Sequence, residues 1–305
     1  MKNLHGEFAN CKENVFLTII KYYLNEYGSY MYSYAWDFGY KMKDTLLPLQ
    51  DRLSNVKDRT KLEWLMETYY GIHIEWDDQF SKQSIMSAEF IVICMDSFWC
   101  PWNPAYQKAH LIHYFIGVHA EDKQIICIDP YYELENLILP YELLKEGLVK
   151  IGYTNQVQRT QYIFEQVFFD SLLHVRNGIN GISDYNLIRI FLKEVGDADL
   201  FVDALTGHSD IPDNSVILLT INHVAWGRKK YITHWQRYNH IPAIQYVVDR
   251  LSEVYREWIL LTKTMIRIFF ENRKHTAIEL ATNRLTHIAS QEEQICNHAL
   301  DIMSP

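Results

Sequence analysis

Three residues of this 305-residue chain could together perform acyl transfer: Cys11, His113 and Asp129. A cysteine is a useful nucleophile because its thiolate is accessible near neutral pH, provided that a base takes the proton and a third group orients the base. Cys11 stands where an amphipathic helix is expected to begin. Val15, Ile19, Tyr22 and Tyr23 recur at helical spacing after it, and Gly28 follows as a stop. Backbone N–H groups at a helix start lack intrahelical acceptors and the helix dipole is positive there, so a thiolate is favoured at that position. His113 opens an alternating run, 113–119, with Tyr114, Ile116 and Val118 on one face. The turn Glu121-Asp122-Lys123 joins it to a second run, 124–129, that ends at Asp129. In an antiparallel hairpin the start of one strand lies opposite the end of the next, so His113 and Asp129 should be neighbours. Each residue also has a plainer reading. A lone cysteine is commonly a small buried hydrophobe, His113 could be a core or turn histidine, and Asp129 could simply brace the Asp-Pro turn.

The elements around these residues change character along the chain. Besides the first helix, a helix is expected over 58–70, closed by Gly71, and strands over 72–76, 89–95 and 148–153. The first half therefore reads as a helix followed by an antiparallel sheet, an α+β organisation. From about Gln161 the apolar period is helical, with segments over 164–173, 185–195, 215–237, 242–273 and 276–303, and a Gly/Asn/Ser-rich loop over 177–184. Two regions are expected, 1–155 and a helical 156–305 packed on it.

Composition removes several classes of function. Hydrophobic residues make up 48% and charged residues 22%, an ordinary globular balance that excludes low-complexity disorder. The net charge is −9, and residues 1–155 hold 21 acids against 14 bases, a balance of −7. No basic stripe suited to phosphates is present there, which argues against nucleic-acid binding. The one cationic cluster, Arg228-Lys229-Lys230, could dock a phosphate arm or an acidic partner, or could be a solvated helix face. Five widely spaced cysteines without a CxxC pair support neither a zinc site nor a disulfide framework, and suggest a reduced, cytoplasmic protein. No signal-peptide pattern is read at the N-terminus, and the longest apolar stretch, 258–270, is interrupted by Lys263 and Arg267. Tyr246, Trp258 and the Phe269-Phe270 pair suit either a core or an oligomer surface.

The order Cys11, His113, Asp129, with the nucleophile opening a helix and the base and its partner on the following sheet, resembles the papain-like cysteine enzymes. His5, six residues before Cys11, stands where that group carries its oxyanion glutamine. It could aim a donor at the same oxyanion as the Cys11 N–H, or be a flexible terminal residue. The stretch Cys94-Met95-Asp96-Ser97-Phe98-Trp99-Cys100-Pro101-Trp102-Asn103-Pro104-Ala105-Tyr106, running on through His110 and His113 to Ile128-Asp129-Pro130, is similar to the butirosin-biosynthesis protein H family over residues 5–155. That resemblance implies a papain-like fold with an appended, mainly helical C-terminal region. It implies an acyltransferase of natural-product assembly, in which Cys11 takes an acyl group from a carrier protein's phosphopantetheine thioester and passes it to a small-molecule amine. His113 would move the protons, and no cofactor is expected beyond the donor's own phosphopantetheine. Asp96, Trp99, Trp102, Tyr106 and His110 become candidates for lining the substrate site, with structural roles the alternative for each. A metal held by His110, His113 and Asp129 would need a further ligand for which no supporting spacing exists, so no metal is expected. A papain-like peptidase or thioesterase, and a non-catalytic scaffold of the same fold, remain the competing functions.

Overall fold

The computed structural model describes residues 9–25, 28, 30–38, 59–79, 81, 83, 85, 88–159, 161–178, 181–195, 215–270 and 274–304. The chain divides into two compact units. One comprises residues 1–31 and 59–161, the other residues 32–58 and 162–305. The division differs from a single boundary near 155: the chain leaves the first unit after residue 31, contributes a segment to the second, and returns at 59.

The first unit is α+β. Helix α1 (Cys11–Leu24) is followed by α2 (Arg59–Tyr70), strands β1 (Ile72–Asp77), β2 (Ile91–Asp96), β3 (Ile112–Ala120), β4 (Gln124–Asp129) and β5 (Leu134–Pro140), helix α3 (Tyr141–Gly147) and strand β6 (Leu148–Gln156). The six strands form one sheet in the order β1-β6-β2-β3-β4-β5, and every pairing is antiparallel. Gly71, in the left-handed region at φ 63°, ends α2 and lets the chain turn directly into β1.

Period-two alternation gives this sheet two buried faces. Ile91, Ile93, Met95, Phe115, Ile125 and Cys127 share one face, covered by Tyr141 and Leu144 of α3 and by Cys100, Trp99 and Trp102 of the connection between β2 and β3. Gly147, at the end of α3, is needed for that cover, because a Cβ there would meet Trp99 Cβ at 2.6 Å and Met95 Cε at 2.7 Å. Helix α1 lies on the opposite face. Tyr23 hydroxyl meets Thr154 Oγ1 at 3.1 Å, and Lys12 Nζ sits 5.9 Å from the Trp76 ring centroid and 5.8 Å from that of Tyr114. Strand β5 and helix α3 were not anticipated. Leu134–Pro140 reads LENLILP and is mostly exposed, so it carries no clean alternation, and the seven-residue α3 is too short for a periodic signal.

The second unit contains α4 (Phe164–Asn177), α5 (Asp184–Val195), α6 (Val216–Trp235), α7 (Pro242–Phe270) and α8 (Lys274–Met303), with a 3₁₀ turn at Gln236–Tyr238. Its centre is a fully buried carboxylate. Glu292 Oε1 accepts from Arg228 Nε at 2.9 Å and Trp258 Nε1 at 2.8 Å; Oε2 accepts from Arg228 Nη2 at 2.7 Å and Trp36 Nε1 at 2.9 Å. Arg228 also donates to the carbonyl of Asp37. This explains why the 32–38 segment belongs to the helical unit. It also corrects the docking role considered for the Arg228-Lys229-Lys230 cluster: Arg228 is 0% exposed and committed to Glu292. Trp258 is likewise core. Among the described residues no helix is long and apolar enough to cross a membrane.

Glu292→Ala should strand a buried guanidinium and two indole N–H groups and destabilise the helical unit by about 3–5 kcal/mol, read from urea unfolding. Arg228→Leu with Glu292→Leu, which removes both charges together, should cost less than Glu292→Ala alone, the remaining cost being the two indole N–H groups left without an acceptor.

Candidate active site

The start of α1 is fixed by its own sequence. Asn10 caps the helix, its Oδ1 accepting from Glu13 N at 2.9 Å, and Glu13 Oε2 accepts from Asn10 N at 3.1 Å, a reciprocal capping box. Asn14 Nδ2 donates back to the carbonyls of Ala9 and Asn10, both at 3.1 Å. Lys12 ties the same turn to α2 through Glu63 Oε1 at 2.7 Å. Cys11 is thus held as the first helical residue. Its N–H is one of the helix-start donors that α-helical geometry leaves without an intrahelical acceptor.

Cys11 differs from the other four cysteines in being partly exposed, whereas Cys94, Cys100, Cys127 and Cys296 are buried. Burial pushes the thiols of Cys100 and Cys296 up to about 12, and that of Cys127 well above its ordinary value. These three are inert thiols at neutral pH.

His113, the second residue of β3, pairs with Met95 on β2. It is 4% exposed and lies on the sheet face that carries Phe115, whose ring centroid is 6.0 Å away. Its Nε2 is 2.6 Å from Asp129 Oδ2, at the end of β4. The register Ile116↔Ile128 and Gly117↔Cys127, carried two residues further, makes the two side chains diagonal neighbours on one face. Cys11 also acts on the imidazole, as a hydrogen-bond and electrostatic partner that raises its pKa. Burial alone would lower the His113 pKa. The hydrogen bonds and electrostatic interactions with Asp129 and Cys11 outweigh that and raise it to about 9. At neutral pH the ring is therefore an imidazolium held against the Asp129 carboxylate.

Asp129 is 0% exposed and its carboxylate is fully used. Oδ2 accepts from His113 Nε2 and, at 2.8 Å, from Trp102 Nε1; Oδ1 accepts from Tyr131 N at 3.1 Å and Tyr132 N at 3.3 Å. The Asp-Pro turn and the orientation of the imidazole are two products of one carboxylate. Tyr132 lies against the imidazole, ring centroids 5.3 Å apart, and Tyr131 meets both rings edge-on.

The structure separates the aromatic candidates. Trp102 is not an open wall: it packs edge-on against Phe115 at 5.0 Å and spends its indole N–H on Asp129. Trp99 packs over Gly147, and Phe98 stacks on His110 with centroids 4.6 Å apart. Tyr106 is half-buried in the same connection and is not brought into the His113–Asp129 pair. Asp96 and His110 are joined to each other, His110 Nδ1 lying 2.6 Å from Asp96 Oδ2. His5 lies outside the described residues. Two partners escaped the sequence reading, Tyr131 and Tyr132. Their position directly after Asp-Pro was a usable signal, because turns of this kind aim the following N–H groups at the aspartate. Among the described residues no group of three or more His, Cys, Asp or Glu side chains is arranged to hold a metal ion.

An NMR titration of the His113 ring should show its midpoint near 9. Because this pKa is raised from 6.5, the pair stabilises the fold fully below about pH 6.5 and that stabilisation is lost as pH rises through about 9. Asp129→Asn removes the negative charge and must turn an NH₂ toward an existing donor, so the midpoint should fall and the fold should lose about 1–3 kcal/mol. Trp102→Phe takes one donor from Oδ2 and should shift the midpoint the other way.

Comparison of the sequence with protein-family models and with curated proteins finds no match in either case.

Proposed function

We propose that this protein is a cysteine-nucleophile acyl-transfer enzyme of papain-like arrangement, with Cys11 as nucleophile, His113 as acid and base and Asp129 as the residue that orients His113. The observation that carries this reading is the imidazole of His113: one ring nitrogen is held by a buried aspartate, and the ring's pKa is raised in part by Cys11, the one cysteine that is partly exposed. A scaffold that merely kept the fold has no need of a raised imidazole pKa beside an accessible thiol, so the pairing supports an enzyme over that alternative.

In the first half-reaction the Cys11 thiolate attacks the carbonyl carbon of an acyl donor. The oxyanion is met by the Cys11 N–H, His113 gives its proton to the leaving thiol or amine, and the donor bond breaks to leave a Cys11 thioester. In the second, an acceptor attacks that thioester and His113 recovers a proton, restoring the thiolate–imidazolium state. Positioned proton transfer of this kind is worth about 10²–10⁴ in rate. The resemblance over residues 5–155 makes the donor a carrier-protein phosphopantetheine thioester and the acceptor an amine. With Arg228 committed to Glu292 and the first 155 residues carrying a balance of −7, a carrier protein would be recognised through its acyl-pantetheine arm and not by a basic patch. No cofactor of its own is required. Water as the acceptor would make the same site a thioesterase or peptidase.

Incubation with acylated carrier proteins or acyl-N-acetylcysteamine thioesters, followed by intact-protein mass measurement, tests this reading. The wild type should gain one acyl mass and Cys11→Ala none. An undiminished adduct on Cys11→Ala would overturn the assignment.

A further inference from the structure

The sheet end that carries His113 holds a second imidazole–carboxylate pair that the steps above leave unused. Asp96 closes β2 and pairs with Ile112, one residue before His113. Successive residues of a strand point to opposite faces. Met95 and His113 therefore share one face, while Asp96 shares the other with Tyr114 and with α1, whose first residue is Cys11. Asp96 thus lies one register step from His113, on the sheet face that α1 covers.

His110 is fixed there although it is largely in solvent. Nδ1 is 2.6 Å from Asp96 Oδ2 and the ring stacks on Phe98 at an interplanar angle of 11°, yet 70% of its side chain is exposed. Asp96 Oδ1 accepts from Phe98 N at 3.0 Å, and Ser97 N donates to the carbonyl of Leu111 at 2.7 Å, so the frame that holds the ring is closed on both sides. A base that meets an acceptor arriving from solution needs an open edge of this kind. With Nδ1 turned to the carboxylate, the free edge is Nε2. Burial pushes the Asp96 carboxyl up, but the hydrogen bonds from His110 and Phe98 outweigh it and hold the group below its ordinary value, as an anion. On the same connection Lys108 Nζ lies 3.2 Å from the Pro104 carbonyl, and on α1 Lys12 is paired with Glu63.

Proton accounting gives this pair a task. An alkyl amine at neutral pH is an ammonium ion, with a pKa of about 10 like that of lysine. It must lose two protons to become an amide nitrogen, one before attack and one as the new bond forms. His113 regains only one proton when the thioester is discharged. Resting on the acyl-transfer reading, we propose that Asp96 and His110 form the subsite for an ammonium acceptor, with His110 Nε2 taking its first proton. The freed amine then attacks the Cys11 thioester carbonyl, the C–N bond forms and the C–S bond breaks. The second proton passes to His113 and restores the imidazolium beside the departing Cys11 thiolate, and His110 returns its proton to solvent. The site is thereby selective for amines over water, which needs no such prior deprotonation.

The test loads wild type, His110→Gln and Asp96→Asn from an acyl-N-acetylcysteamine thioester. Discharge of the thioester is followed by mass with and without n-butylamine. The ratio of amide to free acid should fall roughly 10- to 100-fold at pH 7 in either variant. The deficit relative to wild type should shrink as the pH approaches the amine's own pKa, where free amine no longer needs a base. A merely structural role would lower loading, hydrolysis and aminolysis together at every pH. That result, or an unchanged amide-to-acid ratio with normal loading, overturns the acceptor subsite alone. Failure of the wild type to acquire any adduct overturns the acyl-transfer reading and this inference with it.

Discussion

A single carboxylate, Asp129, sets the geometry of the candidate site. It is fully buried, and a buried anion is tolerated only when its lone pairs are satisfied. Four donors do this: the His113 ring, the Trp102 indole and the N–H groups of Tyr131 and Tyr132. Each brings a different part of the fold to one point. His113 brings the start of β3, Trp102 the connection after β2, and the two tyrosines the turn after β4. Burial of the imidazole should make it neutral, but its contacts with Asp129 and Cys11 reverse the sign of the shift. The position and charge of His113 thus follow largely from its contact with one side chain.

The sheet can present His113 to Cys11 because its two faces are used differently. The helix bearing Cys11 covers one face, while the apolar cluster under α3 fills the other. Cys11, at the start of α1, and His113, at the start of β3, influence one another at the strand end. The capping box at Asn10 and Glu13 adds the second requirement, a helix that begins at a fixed residue. Without that stop the thiol could fray away from the ring, since helix ends are otherwise loosely determined.

The helical unit solves the same physical problem for a different end. Glu292 is also fully buried and also takes four hydrogen bonds, from Arg228, Trp36 and Trp258. Its donors come from α6, α7 and the 32–38 segment, so the ion pair gathers sequence-distant pieces of one core. Nothing nucleophilic lies among these groups, and the arrangement explains packing and not chemistry. Two satisfied carboxylates can look alike in a sequence; what separates them is that one shares its donor with a partly exposed thiol.

By itself the sequence determined what depends on local periodicity and on short-range geometry. The start of α1 at Cys11, the hairpin that places His113 beside Asp129, and the long helices after residue 161 all follow from patterns spanning a few residues, and the α+β organisation follows from them. Tertiary structure decided what depends on partners far apart in the chain. In sequence Trp102 suits a packed lid or a substrate wall equally; its N–H lies on Asp129, 27 residues away. Arg228 looked like part of a basic patch until burial paired it with Glu292, 64 residues on. Strand β5 is an exposed edge with no alternation to read. The physical reason is common to all three: a polar side chain's role is set by which donor or acceptor burial leaves within reach of it, and periodicity records which face a residue occupies without recording who waits there.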